Sequence, residues 1–225
     1  MTNTTDVTLL DLKKSGEQAI SINGPAGNIE ALLNVPTNAD QSRAVAIICH
    51  PHPLHGGSMN NKVVYTIGKA FSNLGVPSIR FNFRGVGKSE GVFADSIGET
   101  DDTLAVIAFA KQCYPEHQIW LSGFSFGAYV SLRATQACEV NQLITVAPAV
   151  NLYNLDDYRP VNCPWLLIQG TDDEIVPVEA VENWISTLKP RPELQLLENT
   201  GHFFHGKLIE LRERIEEHLQ KHEDY

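Results

Sequence analysis

The chain has 225 residues, 43% of them hydrophobic, and a formal net charge of -10. That length supports a sizeable core and matches one domain on the usual size scale, while no stretch approaches the roughly 20 apolar residues of a membrane span. The acidic balance speaks against a protein that tracks nucleic-acid phosphates, which needs a basic face.

The opening "MTNTTDVTLLDLKKSG" is polar and lacks the charged-then-apolar pattern of a secretory signal, so a cytoplasmic protein is expected. "QAISIN" (18–23) and "NIEALLNV" (28–35) flank the turn signal "GPAG" and predict a hairpin. "AVAIIC" (44–49) is a short continuous apolar run, as a strand buried on both faces requires. A helix is expected from Asn60 to Leu74, ended by Gly75, and "PSIRFNF" (77–83) reads as the next strand. "GETDDTLAVIAFAKQC" (98–113) reads as a helix with acids in its first turn, where the helix dipole favours them.

"QIWLSG" (118–123) is a strand and "FGAYVSLRATQA" (126–137) a helix; "QLITVA" (142–147) and "WLLIQG" (165–170) are strands. "VPVEAVENWISTL" (176–188) is a helix, and "ELQLLE" (193–198) is the last strand. The tail "GKLIELRERIEEHLQKH" sets Leu208, Leu211, Ile215 and Leu219 on one helical stripe. About eight strands, mostly separated by helices, predict an α/β fold: a mainly parallel sheet covered on both faces, with an antiparallel hairpin at its start and no dividing linker. Ligands bind such sheets at the carboxyl ends of the strands, so the loops after the strands are where chemistry is sought. The four cysteines, Cys49, Cys113, Cys138 and Cys163, form no C-x-x-C pair and read as reduced thiols.

The loop after "QIWLS" reads Gly123-Phe124-Ser125-Phe126-Gly127. G-x-S-x-G is common by chance, but here it follows an apolar strand and opens a helix, the setting of a nucleophile elbow. The sharp turn brings the residues two before and two after the serine together, where only small side chains fit. The helix N-terminus behind Ser125 favours developing negative charge. A serine needs a base, and the base needs an orienting acid. After "WLLIQG" come Thr171-Asp172-Asp173-Glu174, and the residues alone do not choose between Asp172 and Asp173. After the last strand comes "NTGHFFHGK". His202, on the loop, can reach back to Ser125, whereas His205 at the helix start is carried away. His117, His218 and His222 read as surface residues.

These motifs resemble the α/β-hydrolases, in particular the small, single-domain, lidless bacterial esterases close to the dienelactone hydrolases. The resemblance runs from "AVAIICH" to "GHFF" and rests on "CHPHPLHGGSMNNK", "FNFRGVGKSEG", "GFSFG", "GTDDEIVP" and "GHFF". It implies Asp173 as the acid, three residues after the glycine of G-x-x-D-x-x-V-P, and His202 as the base. Dienelactone hydrolases proper use a cysteine nucleophile. Ser125 at that place implies a serine carboxylesterase instead.

The run "HPHPLHGG" (50–57) follows the strand whose loop supplies half of the oxyanion hole in this fold. Two backbone N–H donors must converge there. One belongs to Phe126, the residue after the nucleophile. Pro51 and Pro53 have no N–H, which leaves His52 as the donor between them, and the family pattern points to the same residue. A metal site is the competing reading of three histidines. Prolines forbid the helix that would pair them, and no nearby acid completes a ligand set, so neither metal nor cofactor is expected. Arg84 and the glycines of "FRGVGKSEG" read as holders of loop geometry.

Only about 15 residues (148–164) separate "LITVAP" from "CPWLLIQG", too few for a large lid. The expected enzyme is a serine hydrolase with an open site, cleaving small or exposed esters through an acyl-enzyme. A thioesterase, a peptidase and a non-catalytic binding protein of the same fold are the alternatives. Phe124, Tyr153 and Phe203 are candidates for an apolar substrate pocket. The expected partner is a small ester, not nucleic acid or membrane, with the chain a monomer or small homo-oligomer.

Overall fold

The structure, a computed structural model, describes residue 12 and residues 14–222; most of the stretch read for a targeting signal lies outside the described residues. The predicted hairpin forms between β1 (Gly16–Gly24) and β2 (Gly27–Val35), in register from Gly16↔Val35 to Gly24↔Gly27. β3 (Ala44–Cys49), β4 (Ser78–Phe81), β5 (Gln118–Phe124), β6 (Gln142–Val146), β7 (Trp165–Gly170) and β8 (Glu193–Leu197) complete one eight-stranded sheet, in the order β1-β2-β4-β3-β5-β6-β7-β8. Only β1–β2 and β2–β4 pair antiparallel; the rest of the ladder is parallel.

Continuous apolar runs make such strands because both faces are covered. In β3, Val45, Ile47 and Cys49 enter one core while Ala44, Ala46 and Ile48 enter the other. β7 divides in the same way, with Trp165 and Leu167 opposite Leu166 and Ile168. α2 (Ile97–Cys113), α3 (Phe126–Ala134) and α4 (Val178–Ser186) pack on the first face, and α1 (Lys62–Asn73) and α5 (Leu208–Lys221) on the second. No helix among the described residues is long and apolar enough to cross a membrane.

The differences from the predicted elements have local causes. β4 stops at Phe81 rather than Phe83, and the Phe83 N–H donates to the His50 imidazole. α1 starts at Lys62 because the Asn61 side chain caps the Val63 N–H at 2.9 Å. α3 ends at Ala134, three residues early, where the Thr135 hydroxyl turns back onto the Leu132 carbonyl. The acids of α2 do more than meet a dipole. Asp102 is buried and takes a two-pronged ion pair from Arg84 at 2.7 and 3.0 Å, while Glu99 accepts the Ala94 N–H. α5 buries Leu211, Ile215 and Leu219, but also His218, against the expectation of a surface histidine. Position 218 follows 215 by three residues and shares its face. Residues 147–164 contain neither helix nor strand, so this connection carries no lid-sized element.

Candidate active site

Ser125 sits between β5 and α3 with φ 56° and ψ -117°, a conformation few non-glycine residues adopt. Its N–H donates to the Val146 carbonyl at 2.9 Å, which ties the turn to the neighbouring strand. The flanking glycines are needed for space. A methyl group on Gly123 would collide with the Gly127 carbonyl, and one on Gly127 with the Cys49 and His50 carbonyls. α3 can therefore begin directly against the end of β3.

The loops after β7 and β8 bring Asp173 and His202 to this point. His202 Nε2 lies 2.9 Å from Ser125 Oγ, and His202 Nδ1 lies 2.8 Å from Asp173 Oδ2. All three residues are buried, with Ser125 the most exposed at 8%. An ionised carboxylate only accepts, so Nδ1–H donates to Asp173 and Nε2 is left to take the serine proton. Asp173 Oδ1 accepts the Ile175 and Val176 N–H groups at 2.9 and 2.7 Å, and Oδ2 also accepts from Gln169 Nε2 at 3.0 Å. Burial alone would raise this carboxyl. The hydrogen bonds from His202 and from the Val176 and Ile175 amides outweigh it and hold the pKa below the usual carboxylate value. Asp172, left open on the residues alone, is exposed and accepts only from the Thr171 hydroxyl among its side-chain bonds. His205 is exposed, its ring 6.0 Å from that of Phe203.

Two supporting residues escaped the sequence reading. Gln169 also donates to the Val176 carbonyl at 2.8 Å, locking the Asp173 turn, and Glu174 accepts the His202 N–H at 3.3 Å. The signal for Gln169 was available: a polar residue inside the apolar run "WLLIQG". Nothing in the sequence sets Glu174 apart from its acidic neighbours.

The histidine run folds around its backbone. His50 is fully buried; its Nε2 accepts the Phe83 N–H at 3.0 Å, so its Nδ1–H donates to the Pro51 carbonyl at 2.6 Å. Burial pushes its pKa down to about 4. Both nitrogens are thus occupied, and His50 is not arranged as a metal ligand. His52 Nδ1 accepts the Leu54 N–H, and its ring lies 4.8 Å from that of Phe126. The Phe126 N–H belongs to the first turn of α3, where helical geometry supplies no acceptor. Gly57 closes the loop, since a methyl group there would strike the Pro51 and His52 carbonyls.

The pocket candidates separate. Phe124 is a correction: it is fully buried in the core beneath the His202 ring, 5.1 Å between centroids, and is not a pocket wall. As the last residue of β5 it alternates onto the face covered by α1 and α5. Tyr153 is half-buried, stacked on Tyr129 at 4.5 Å and edge-on to Phe126 at 5.7 Å. Phe203 is 42% exposed, edge-on to His202 at 5.2 Å. It has company: Leu54, Val92, Leu152 and Ile175 are also exposed, and each lies within two residues of a group that touches the site. Five apolar side chains from five separate loops thus stand at the carboxyl edge.

Residues 40–160 match the family described as Serine aminopeptidase, S33. A protein of Rickettsia prowazekii (strain Madrid E) is 33% identical over 210 residues, which cover 89% of this chain and 87% of that protein. The crystal structure of an α/β serine hydrolase without a lid from Xanthomonas campestris is 41% identical, with a TM-score of 0.89 over 94% of this chain and 97% of that one. An α/β serine hydrolase homologue from Coxiella burnetii is 42% identical, with a TM-score of 0.88 over 92% and 99% of the two chains.

Proposed function

The chain belongs to the serine aminopeptidase family of α/β serine hydrolases, and from that premise we propose that it is a carboxylesterase acting on small or exposed esters with an apolar acyl or alcohol group. The observation that carries this reading is the continuous hydrogen-bonded line from Ser125 Oγ through His202 to Asp173, at 2.9 and 2.8 Å.

His202 Nε2 takes the Ser125 proton as Oγ bonds to the ester carbonyl carbon. The carbonyl oxygen becomes an oxyanion held by the N–H groups of His52 and Phe126. Asp173 keeps Nδ1 protonated and stabilises the imidazolium. The imidazolium then gives its proton to the leaving alkoxide, the C–O bond breaks, and the acyl group remains on Ser125. Water, deprotonated by the same Nε2, attacks the acyl-enzyme; the acid leaves and the proton returns to Ser125. The open edge and its five exposed apolar side chains support an apolar substrate that need not be engulfed.

A second reading, release of an N-terminal amino acid, has one observation in its favour beyond the family description. The Asp95 carboxylate bears electrostatically on both His52 and Tyr153, where a substrate ammonium group would meet it. The test is a panel of p-nitrophenyl esters, thioesters and aminoacyl arylamides, with fluorophosphonate labelling of Ser125. Ester turnover above the others, lost in Ser125→Ala, supports the esterase. Preferred arylamide turnover that falls in Asp95→Asn supports the aminopeptidase. Absence of a Ser125 adduct would overturn both.

A further inference from the structure

One group of ligand-type side chains lies far from Ser125, at the amino end of β8 and the last turns of α5. Glu193 opens β8; His218 and His222 are four apart on α5 and so share one face. Glu193 Oε2 is 2.9 Å from His218 Nδ1, the two histidine rings are 4.7 Å apart, and one donor atom from each of the three residues falls within 4.8 Å of the others. We propose that Glu193, His218 and His222 bind a divalent transition-metal ion of the zinc class, which ties α5 to β8.

The observation that ordinary packing does not explain is His218. It stands 1% exposed on the stripe shared by Leu211 and Ile215, where a leucine would continue the core. Its Nδ1 faces the Glu193 carboxylate at 2.9 Å, and that is the nitrogen a metal shared with Glu193 would take. A polar ring buried at a core position costs more than an apolar side chain would there. Two imidazoles and one carboxylate suit zinc, which accepts three protein ligands and a water. Tetrahedral zinc at about 2.0–2.2 Å from each donor sets the donors roughly 3.4 Å apart, between the distances seen here. Glu193 and His222 are partly exposed and can turn inward to close the set. Lys221 bears on Glu193 and His218 and opposes a cation. β8 and α5 are the two elements that hold the His202 loop between them, so a metal here would brace the strand and helix from which that loop hangs.

The test uses the full chain, stripped with a chelator, desalted, and titrated with zinc chloride by calorimetry, with thermal unfolding followed in parallel. One equivalent is expected to bind and to raise the unfolding midpoint by several degrees. Glu193→Gln and His222→Ala, at positions that leave the core intact, are each expected to weaken binding at least about tenfold. Lys221→Ala is expected to tighten it. No saturable binding, or binding that both ligand variants retain, would overturn the proposal; in the latter case zinc is held elsewhere, for instance by the histidines of the 50–57 loop.

Discussion

Replacing Asp173 by Asn tests the site at its most constrained atom. Asp173 accepts four hydrogen bonds: Ile175 and Val176 N–H on Oδ1, and Gln169 Nε2 and His202 Nδ1 on Oδ2. The two backbone donors cannot turn away, so the asparagine oxygen must stay on their side. Its amide N–H group then faces His202 Nδ1 and Gln169 Nε2, donor against donor. His202 is relieved by the other tautomer, in which Nδ1 accepts and Nε2–H points at Ser125 Oγ. That tautomer cannot take the serine proton. Gln169 is relieved by flipping its amide, but its oxygen then opposes the Val176 carbonyl that Nε2 now serves at 2.8 Å, at a cost of about 1–3 kcal/mol in stability. The expected loss in kcat/KM on p-nitrophenyl acetate is about 10⁴-fold, or about 5.5 kcal/mol in the barrier, with the fold retained by circular dichroism. Asp172→Asn, at the exposed neighbour, is expected to stay within about twofold of the parent. If Asp173→Asn keeps activity within tenfold of the parent, the acid is a different residue and the reasoning fails.

Other expectations follow from the same geometry. His52→Ala keeps its backbone N–H and is expected to retain substantial esterase activity, whereas His52→Pro removes that donor and is expected to cost about 10²–10³-fold in kcat; equal losses in steady-state assays would remove His52 from the oxyanion role. Phe124→Ala empties a fully buried site and is expected to lower stability by about 3–5 kcal/mol in urea unfolding, while Phe203→Ala at the rim is expected to leave stability nearly unchanged and to raise KM for longer acyl chains. Because burial depresses His50 to about 4 from 6.5, the unfolded chain binds its proton first on acidification. The contribution of His50 is therefore complete above pH 6.5 and falls as pH drops toward 4, by about 2 kcal/mol between pH 7.5 and 5. His218 acts in the same sense, and the loss tied to Asp173, a depressed carboxyl, begins lower. His50→Gln should flatten the pH 5–7 part of the curve; an unchanged slope in urea titrations would contradict this.

Much of the candidate site could be read along the chain because the elbow is a local device. Gly123, Ser125 and Gly127 fall within five residues, and the strand before and helix after them are visible in the apolar pattern. The distant partners were reachable through loop logic. His202 lies 77 positions from Ser125, yet both follow strands of a parallel sheet, and such strands end on one edge. The supporting residues were harder. Gln169 reads as a strand residue until its amide is seen to hold both Asp173 and the Val176 carbonyl, and Glu174 is one acid among three.

By itself, the sequence determined the alternation of strands and helices, the two-sided burial of the sheet, and the placing of Ser125, Phe126 and His52 at its carboxyl edge, because hydrophobic period, glycine and proline act over a few residues. Between Asp172 and Asp173, adjacent residues whose side chains leave the turn in different directions, residue type left the choice open; the family resemblance pointed to Asp173, and the fold put its carboxylate on His202. Tertiary structure alone decided between Phe124 as pocket wall and Phe124 as core, which depends on the face its strand position presents, and the fate of His218, drawn inward by a helical face whose partner strand lies 25 residues away. In each case residue type was not enough. What mattered was the direction of a side chain, and that is set by elements far apart in the chain meeting in space.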